Sequence, residues 1–165
     1  MTESRVLFAR YFDELAEGDT FETSGRTVTE ADVVGFACLT GDGHLQHVNA
    51  HWSAESQFGA RIAHGMLVVS YAIGLINLDP ERVIALRRIA NATFKAPVYL
   101  GETISLIGRI ERLTPIDDSV ALVDSACRIV NQDGRTVVRM DVHTLWRRNP
   151  ALAERGAAVL EVASA

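Results

Sequence analysis

The chain has 165 residues, 48% of them hydrophobic, which is enough for one domain with a real core and too few for two comfortable ones. Its formal net charge is −5 and its arginines are scattered, whereas a nucleic-acid surface needs a clustered excess of Lys and Arg. The longest uncharged apolar run, Gly65 to Leu78, is shorter than the ~20 residues of a membrane-spanning helix, so we expect neither nucleic-acid nor membrane partners.

The N-terminal segment carries no export signal, because a basic start followed by an apolar stretch is missing. Cys38 and Cys127 lie in apolar stretches without CxxC spacing, which indicates small buried side chains rather than ligands or a disulfide. These features predict a cytoplasmic protein. No repeat or linker divides the chain, so we predict one domain over residues 1–165, with a core at about 11–148. The Ala-rich tail, 149–165, indicates a frayed or surface-docked helix.

The first predicted elements are a short strand and a helix. Residues 19–29, DTFETSGRTVT, are typical of a strand with a turn at Gly25. Thr29 then supplies the N-cap hydroxyl of a helix with acidic residues in its first turn, and Gly41 ends that helix. Residues 42–50 are therefore expected to form a loop that starts just past a helix C-terminus.

The second half of the chain predicts a buried helix followed by long strands. Residues 66–78, MLVVSYAIGLINL, are apolar on every side, so we expect this helix to be fully enclosed by protein. The pattern then changes to period two, which indicates antiparallel strands. The predicted strands cover residues 85–98, 104–111, 121–129 and 138–146, with a QDGR turn at 132–135. A long antiparallel sheet around one apolar helix is the α+β arrangement called a hotdog fold.

The stretch from Leu39 to Trp52 concentrates chemistry in a segment with little to build a core. Its titratable residues include Asp42, His44, His47 and His51. The H-x2-H-x3-H spacing would align the histidines on one helical face, with the aspartate as a fourth zinc ligand. Two glycines in the same stretch argue against a continuous helix, so we predict no metal site there.

Two segments resemble the MaoC dehydratase family, which includes the (R)-specific enoyl-CoA hydratases. Residues 40–47, TGDGHLQH, resemble its G-D-x-N-P-x-H motif, and residues 58–67, FGARIAHGML, are similar to its F-G-x-x-I-A-H-G-M-L segment at the start of the central helix. Weaker similarity runs from Tyr11 to Trp146. The chain departs from the motif at residues 44–46, where His-Leu-Gln replaces Asn-Pro and a small aliphatic residue.

The resemblance implies reversible hydration of a trans-2-enoyl thioester to a (3R)-3-hydroxyacyl thioester. Adding water requires a base for the water proton and an acid for the α-carbon, and Asp42 and His47 are the candidates. Gly65, at the first turn of the central helix, offers a backbone N–H to the enolate oxygen. Simpler interpretations stay open: Asp42 capping a turn, His47 as a loop histidine, and Gly65 easing the helix entry.

Further residues are expected around the substrate: His44, His64, Met66, Phe94, Lys95 and Pro97. We expect His44 to shape the pocket mouth and His64 to hydrogen-bond the catalytic loop, while Lys95, with Arg88, neutralises phosphates of CoA or a carrier pantetheine. His51 and His143 are expected to face solvent. No metal or redox cofactor is required, and the CoA or pantetheine thioester is the substrate.

The strand after the central helix has an exposed edge that monomers seldom leave unpaired, which predicts a homodimer joined edge to edge. Such a dimer would bring residues 94–97 near the partner's acyl tunnel.

Two alternative functions stay open. Acyl-CoA thioesterases use similar scaffolds and typically carry an acidic residue on the central helix, but residues 64–78 contain no Asp or Glu. A non-catalytic acyl-thioester-binding or partner subunit is suggested by the departure at residues 44–46.

Overall fold

The computed structural model describes residues 7–152, which share one hydrophobic core. A 3-10 helix spans Phe12–Glu14, and the α-helices are α1 (Glu30–Thr40), α2 (Leu45–Val48), α3 (Ala50–Ala54) and α4 (Gly65–Gly74). The strands are β1 (Thr20–Glu22), β2 (Arg26–Thr27), β3 (Val83–Phe94), β4 (Thr103–Pro115), β5 (Val120–Asn131) and β6 (Thr136–Arg147). Residues 150–152 are helical, and the rest of the predicted tail helix lies outside the described residues.

The four long strands are confirmed, three of them (β4, β5 and β6) predicted from period-two alternation. They form an antiparallel sheet in the order β1-β4-β5-β6-β3, and β2 also pairs with β4. Along β4 the inward residues Ile104, Leu106 and Ile110 are buried, while Arg109 faces outward. β3 lies at the end of this order, so one of its edges has no strand beside it within residues 7–152. β3 ends at Phe94 rather than at residue 98 as predicted, because a turn that contains Pro97 follows it.

The central helix α4 packs against the concave side of the sheet but is not enclosed all round, so that prediction is wrong for the single chain. Its buried face carries Leu67, Val68, Val69 and Ala72. Met66, one turn before Ser70, is 56% exposed and begins a solvent-facing stripe. One chain's sheet covers only one side of the helix. The open side carries Met66, Ser70 and Gly74, so Ser70 and Gly74 are the residues that mark it in the sequence. No helix within residues 7–152 is long and apolar enough to cross a bilayer.

Helix α1 begins and ends where its sequence predicts. Thr29 is the N-cap, with its hydroxyl accepting from the Asp32 amide at 3.3 Å while the Asp32 carboxylate accepts from the Thr29 amide at 2.8 Å. Gly41 ends the helix in the left-handed conformation with φ of 77°, which glycine adopts without steric cost. Only Val33 of α1 is buried, so Cys38 is exposed rather than buried as expected.

The N-terminal end of α1 is bound to the central helix through one carboxylate. The Tyr71 hydroxyl on α4 donates to Asp32 Oδ1 at 2.5 Å, and the Arg26 guanidinium lies 3.2 Å from the same oxygen. The Arg26 guanidinium also stacks 3.6 Å from the centroid of the Tyr71 ring. Hydrogen bonds from Tyr71 and Thr29 lower the Asp32 pKa from 3.8 to about 2. This network joins the first turn of α1 to α4, while the last turn of α1 and the first turn of α4 carry the site.

Candidate active site

A cavity of about 610 Å³ lies between the end of α1, the start of α4 and the turn after β3. Eight of the nine residues predicted for the site line it. They are Asp42, His47, His64, Gly65, Met66, Phe94, Lys95 and Pro97. The chain therefore brings together groups that are separated by more than 50 positions in the sequence. Arg88, which is expected to neutralise phosphates together with Lys95, does not line this cavity.

His44 does not line the cavity, contrary to the expectation that it shapes the mouth. It is the N-cap of α2, and its Nδ1 accepts a hydrogen bond from the Gln46 amide at 3.2 Å. The predicted loop over residues 42–50 contains α2 and ends at α3, because His44 and Asn49 each cap a short helix. These helices direct the His44 ring towards the local backbone.

Asp42, His47 and His64 converge on one part of the cavity lining. Their ligand atoms all lie within 4.8 Å of one another, and the rings of His47 and His64 stack with centroids 3.9 Å apart. His64 Nε2 lies 3.0 Å from the carbonyl oxygen of Asp42, so His64 contacts the loop as expected. His64 is 2% exposed, and its Nδ1 has no hydrogen-bond partner within the described chain. We therefore assign its proton to Nε2, which donates to that carbonyl.

The ring of His47 is oriented by the backbone of the facing segment. His47 Nδ1 lies 2.7 Å from the carbonyl oxygen of Ile62, so Nδ1 carries the proton and Nε2 keeps a free lone pair. Burial lowers the pKa of His47 below 6.5, and the neighbouring His64 lowers it further, whereas Ile62 and Asp42 oppose the shift. The imidazole is therefore neutral near physiological pH and is able to accept a proton.

Asp42 keeps part of its carboxylate free. Its Oδ1 accepts from the His44 amide at 3.3 Å, which is the turn-capping role that the simpler interpretation assigned to it. The Asp42 amide in turn donates to Thr40 Oγ1 at 3.2 Å. Because a carboxylate accepts several hydrogen bonds, this turn leaves the second oxygen available at the cavity. The capping and chemical roles are compatible.

Gly65 is the first residue of α4, where a backbone N–H has no partner inside the helix and the helix dipole favours negative charge. A Cβ at this position would lie 2.6 Å from Cε1 of Phe94, so the ring at the end of β3 packs directly on the glycine. Any larger residue would push this ring aside. The glycine thus serves both close packing and open access to its amide.

Some features of the site were not predicted from the sequence. The cavity also includes Phe36, Phe58 and Val138, whose apolar side chains fit an ordinary core, and the polar Thr40 at the end of α1. Within the part of the chain that the structure describes, the compact set of metal-type ligands is Asp42, His47 and His64, and the exposed His51 is not among them. A carboxylate and two imidazoles are donors that zinc accepts, so the metal alternative now concerns this trio. Far from the site, His143 bonds Asp124 at 2.5 Å rather than facing solvent as expected.

Comparison with known proteins gives a consistent result. The family described as MaoC like domain matches residues 14–126. Protein MaoC of Klebsiella aerogenes is 43% identical over 108 residues, which cover 64% of this chain but only 32% of that protein. A 3-hydroxybutyryl-CoA dehydratase of Methylorubrum extorquens is 32% identical over 149 residues, covering 85% of this chain and 88% of that one.

Solved structures agree on the fold. A monoamine oxidase regulatory protein from Archaeoglobus superposes with a TM-score of 0.80 at 33% identity, covering 86% of this chain and 96% of that one. A Mycobacterium tuberculosis protein described as having a double hotdog fold superposes with a TM-score of 0.76 at 20% identity, covering 87% of this chain and 46% of that one. The predicted hotdog architecture is confirmed.

Proposed function

Because this chain belongs to the MaoC-like domain family, we propose that it is a hydro-lyase that reversibly adds water to a trans-2-enoyl thioester, forming a (3R)-3-hydroxyacyl thioester. The observation that carries the proposal is the convergence of Asp42, a neutral His47 and the Gly65 helix start on one cavity.

The proposed reaction begins with a water molecule held between the Asp42 carboxylate and Nε2 of His47. His47 Nε2 takes a proton as the water oxygen bonds to the β-carbon of the enoyl group. The electrons of the carbon–carbon double bond move towards the thioester carbonyl, whose oxygen becomes an enolate. The imidazolium then returns its proton to the α-carbon, so the atoms of one water are added and both residues are regenerated.

The enolate oxygen is assigned to the amide of Gly65. Its N–H is free of helix hydrogen bonds and lies at the positive end of the α4 dipole. One donor of this kind contributes about 3 kcal/mol of transition-state stabilisation, and a positioned acid or base contributes about 10²–10⁴-fold in rate. The rest of the cavity binds and orients the acyl group, since most of the side chains lining it are apolar.

The first substrate to test is crotonyl-CoA, which is the dehydration product expected of a 3-hydroxybutyryl thioester, the class named for the Methylorubrum relative. Hydration is measured as loss of enoyl absorbance, and longer enoyl-CoA substrates are compared in the same assay. Asp42→Asn and His47→Ala should each lower kcat by about 10²–10⁴-fold. Equal rates in wild type and both variants would exclude this pair as the catalytic groups.

Two surface substitutions provide matched controls. Asp118→Asn and His51→Ala change the same residue types at exposed positions outside the cavity, so their rates should equal that of wild type. Two further assays address the alternatives. Release of free CoA, followed with a thiol reagent, would favour a thioesterase, and stoichiometric zinc lost together with activity on chelation would favour a metal centre at Asp42, His47 and His64.

The open edge of β3 supports a homodimer as the working assembly. This strand is 12 residues long, is paired on one side with β6, and exposes Ile84, Leu86 and Phe94. A long strand edge with unpaired backbone groups favours pairing with another strand, and a second copy supplies the same edge. Light scattering should give twice the chain mass. A monomer at micromolar concentration would contradict this assembly.

A further inference from the structure

The departure from the family motif at residues 44–46 falls on the backbone that carries Asp42 and His47. His44 is the N-cap of α2, and Leu45 is the first residue of that helix. Asn at an N-cap and Pro at the first helical position are among the residues that best start a helix. The Asn-Pro of the motif is therefore a helix-start signal, and this chain starts the helix without it.

His44 takes the place of the capping asparagine. Its backbone is non-helical, with φ of −56° and ψ of 134°, and its Nδ1 accepts from the Gln46 amide at 3.2 Å. Imidazole is not among the side chains favoured at N-caps, so we expect this cap to hold the helix less firmly than asparagine. A second constraint is then needed to keep the loop in place.

Gln46 supplies that constraint from a buried position. Its side chain is polar, yet the residue is only 5% exposed, and its Nε2 donates to the carbonyl oxygen of Ala60 at 2.8 Å. The Gln46 carbonyl oxygen also accepts from the Ile62 amide at 3.3 Å. The same Ile62 offers its carbonyl oxygen to His47 Nδ1 at 2.7 Å. The small aliphatic residue that the motif has here would lack the side-chain bond to Ala60.

These bonds join two segments that meet at the reaction site. Gln46 and His47 bind the strip at residues 60–62, which leads directly to His64 and Gly65. His64 closes the arrangement by donating to the Asp42 carbonyl at 3.0 Å. The distance between the acid-base pair and the helix start therefore depends on this set of hydrogen bonds.

We propose that Gln46 is a positioning residue which, with His44 as the helix cap, holds Asp42 and His47 against the start of α4 in place of the Asn-Pro pair. The catalytic consequence rests on the proposed hydro-lyase function, whereas the placement rests on geometry alone. Both can be measured separately.

The primary variant is Gln46→Met, which keeps the side-chain length but removes the amide donor. We expect kcat for crotonyl-CoA hydration to fall by about 10- to 100-fold, because sub-ångström misplacement of a catalytic group is costly, while KM changes less than about threefold. The NMR titration of His47 should shift to a higher pKa, towards 6.5, as its ring gains solvent. Gln57→Met, at an exposed glutamine, is the matched control and should leave both measurements unchanged.

Restoring the motif should rescue the defect. The triple variant Gln46→Met, His44→Asn, Leu45→Pro reinstates the cap and the helix-start proline. The backbone accepts both changes, since His44 is already non-helical and a first helical residue needs no N–H partner inside the helix. We expect kcat and the His47 titration to return to wild-type values.

The outcomes separate the two proposals. If wild type hydrates no enoyl-CoA, the hydro-lyase function fails, and the His47 titration alone decides whether Gln46 positions the ring. An active wild type with unchanged kcat and titration in Gln46→Met overturns the positioning role and leaves the function standing. A triple variant that does not recover also overturns it. If Gln46→Met does not fold, the variants His44→Ala and His44→Asn test the positioning role instead. The alanine variant removes the cap of α2 and should shift the His47 titration, whereas the asparagine variant keeps a cap and should not.

Discussion

The two ends of helix α1 carry aspartates with opposite surroundings. Asp32, in the first turn, is bound by Thr29, Tyr71 and Arg26, and these contacts lower its pKa to about 2. Asp42, just past the last turn, is exposed, and within residues 7–152 its carboxylate accepts one hydrogen bond, from the His44 amide. Both oxygens of the Asp32 carboxylate accept hydrogen bonds, so this residue contributes to stability. Asp42 keeps an unused oxygen at a cavity, which is what a group that handles water requires.

The strongest test of this contrast is Asp42→Asn. We expect this variant to lose about 10²–10⁴-fold in kcat for crotonyl-CoA hydration. Its free energy of unfolding should stay within about 0.5 kcal/mol of wild type. Chemical denaturation monitored by circular dichroism measures the second quantity. A large stability loss would show that Asp42 is another structural carboxylate, and the contrast between the ends of α1 would disappear.

The reciprocal substitution is Asp32→Ala. It removes the capping-box acceptor and leaves the Tyr71 hydroxyl without its partner, so we expect a loss of about 2–3 kcal/mol in the free energy of unfolding. Activity per folded molecule should change far less than in Asp42→Asn. Urea titration gives the stability, and kcat corrected for the folded fraction gives the activity. A stable but inactive variant would contradict the assignment.

The charge of Asp32 adds a pH dependence. Because folding lowers its pKa from 3.8 to about 2, the stabilisation is fully present above pH 3.8 and is lost as pH falls towards 2. The stability difference between wild type and Asp32→Ala should therefore shrink across this interval. Denaturant midpoints of both proteins at several acidic pH values measure the difference. A constant difference would mean that packing, rather than the charge, carries the effect.

The smallest expected effect comes from Tyr71→Phe. This change removes one donor to Asp32 but keeps the ring under Arg26 and the bonds from Thr29. We expect a loss of about 1 kcal/mol, at the low end for a hydrogen bond to a charged group because Tyr71 is partly exposed. Thermal unfolding measures it, with Tyr99→Phe as a control that removes a hydroxyl bonded to a neutral carbonyl.

The features that depend on local patterns were predictable from the sequence. Period-two alternation located three of the four long strands, β4, β5 and β6. Thr29 and Gly41 marked both ends of α1, because capping chemistry acts within a few residues. The motif resemblance selected Asp42, His47 and Gly65, which the fold brings to one cavity. Their chemical roles stay predictions until the variants are measured.

The features that depend on residues distant in the chain were not predictable from the sequence. The open side of α4 was missed because Met66 on that side is as apolar as the buried residues, and only Ser70 and Gly74 mark it in the sequence. The stacking of His64 on His47 joins residues 17 positions apart, and spacing alone favoured the wrong histidines for a cluster. His44 was misassigned because the direction of its ring depends on the two short helices that follow.

The packing of Phe94 on Gly65 links assembly to chemistry. Phe94 is the last residue of the edge strand β3. Its ring packs so closely on Gly65 that a Cβ on the glycine would lie 2.6 Å from Cε1 of Phe94. A second subunit docking along β3 would therefore restrain an aromatic ring that packs on Gly65, the proposed oxyanion donor. Dilution that dissociates subunits would free this ring, so specific activity should decline at low enzyme concentration before any unfolding occurs.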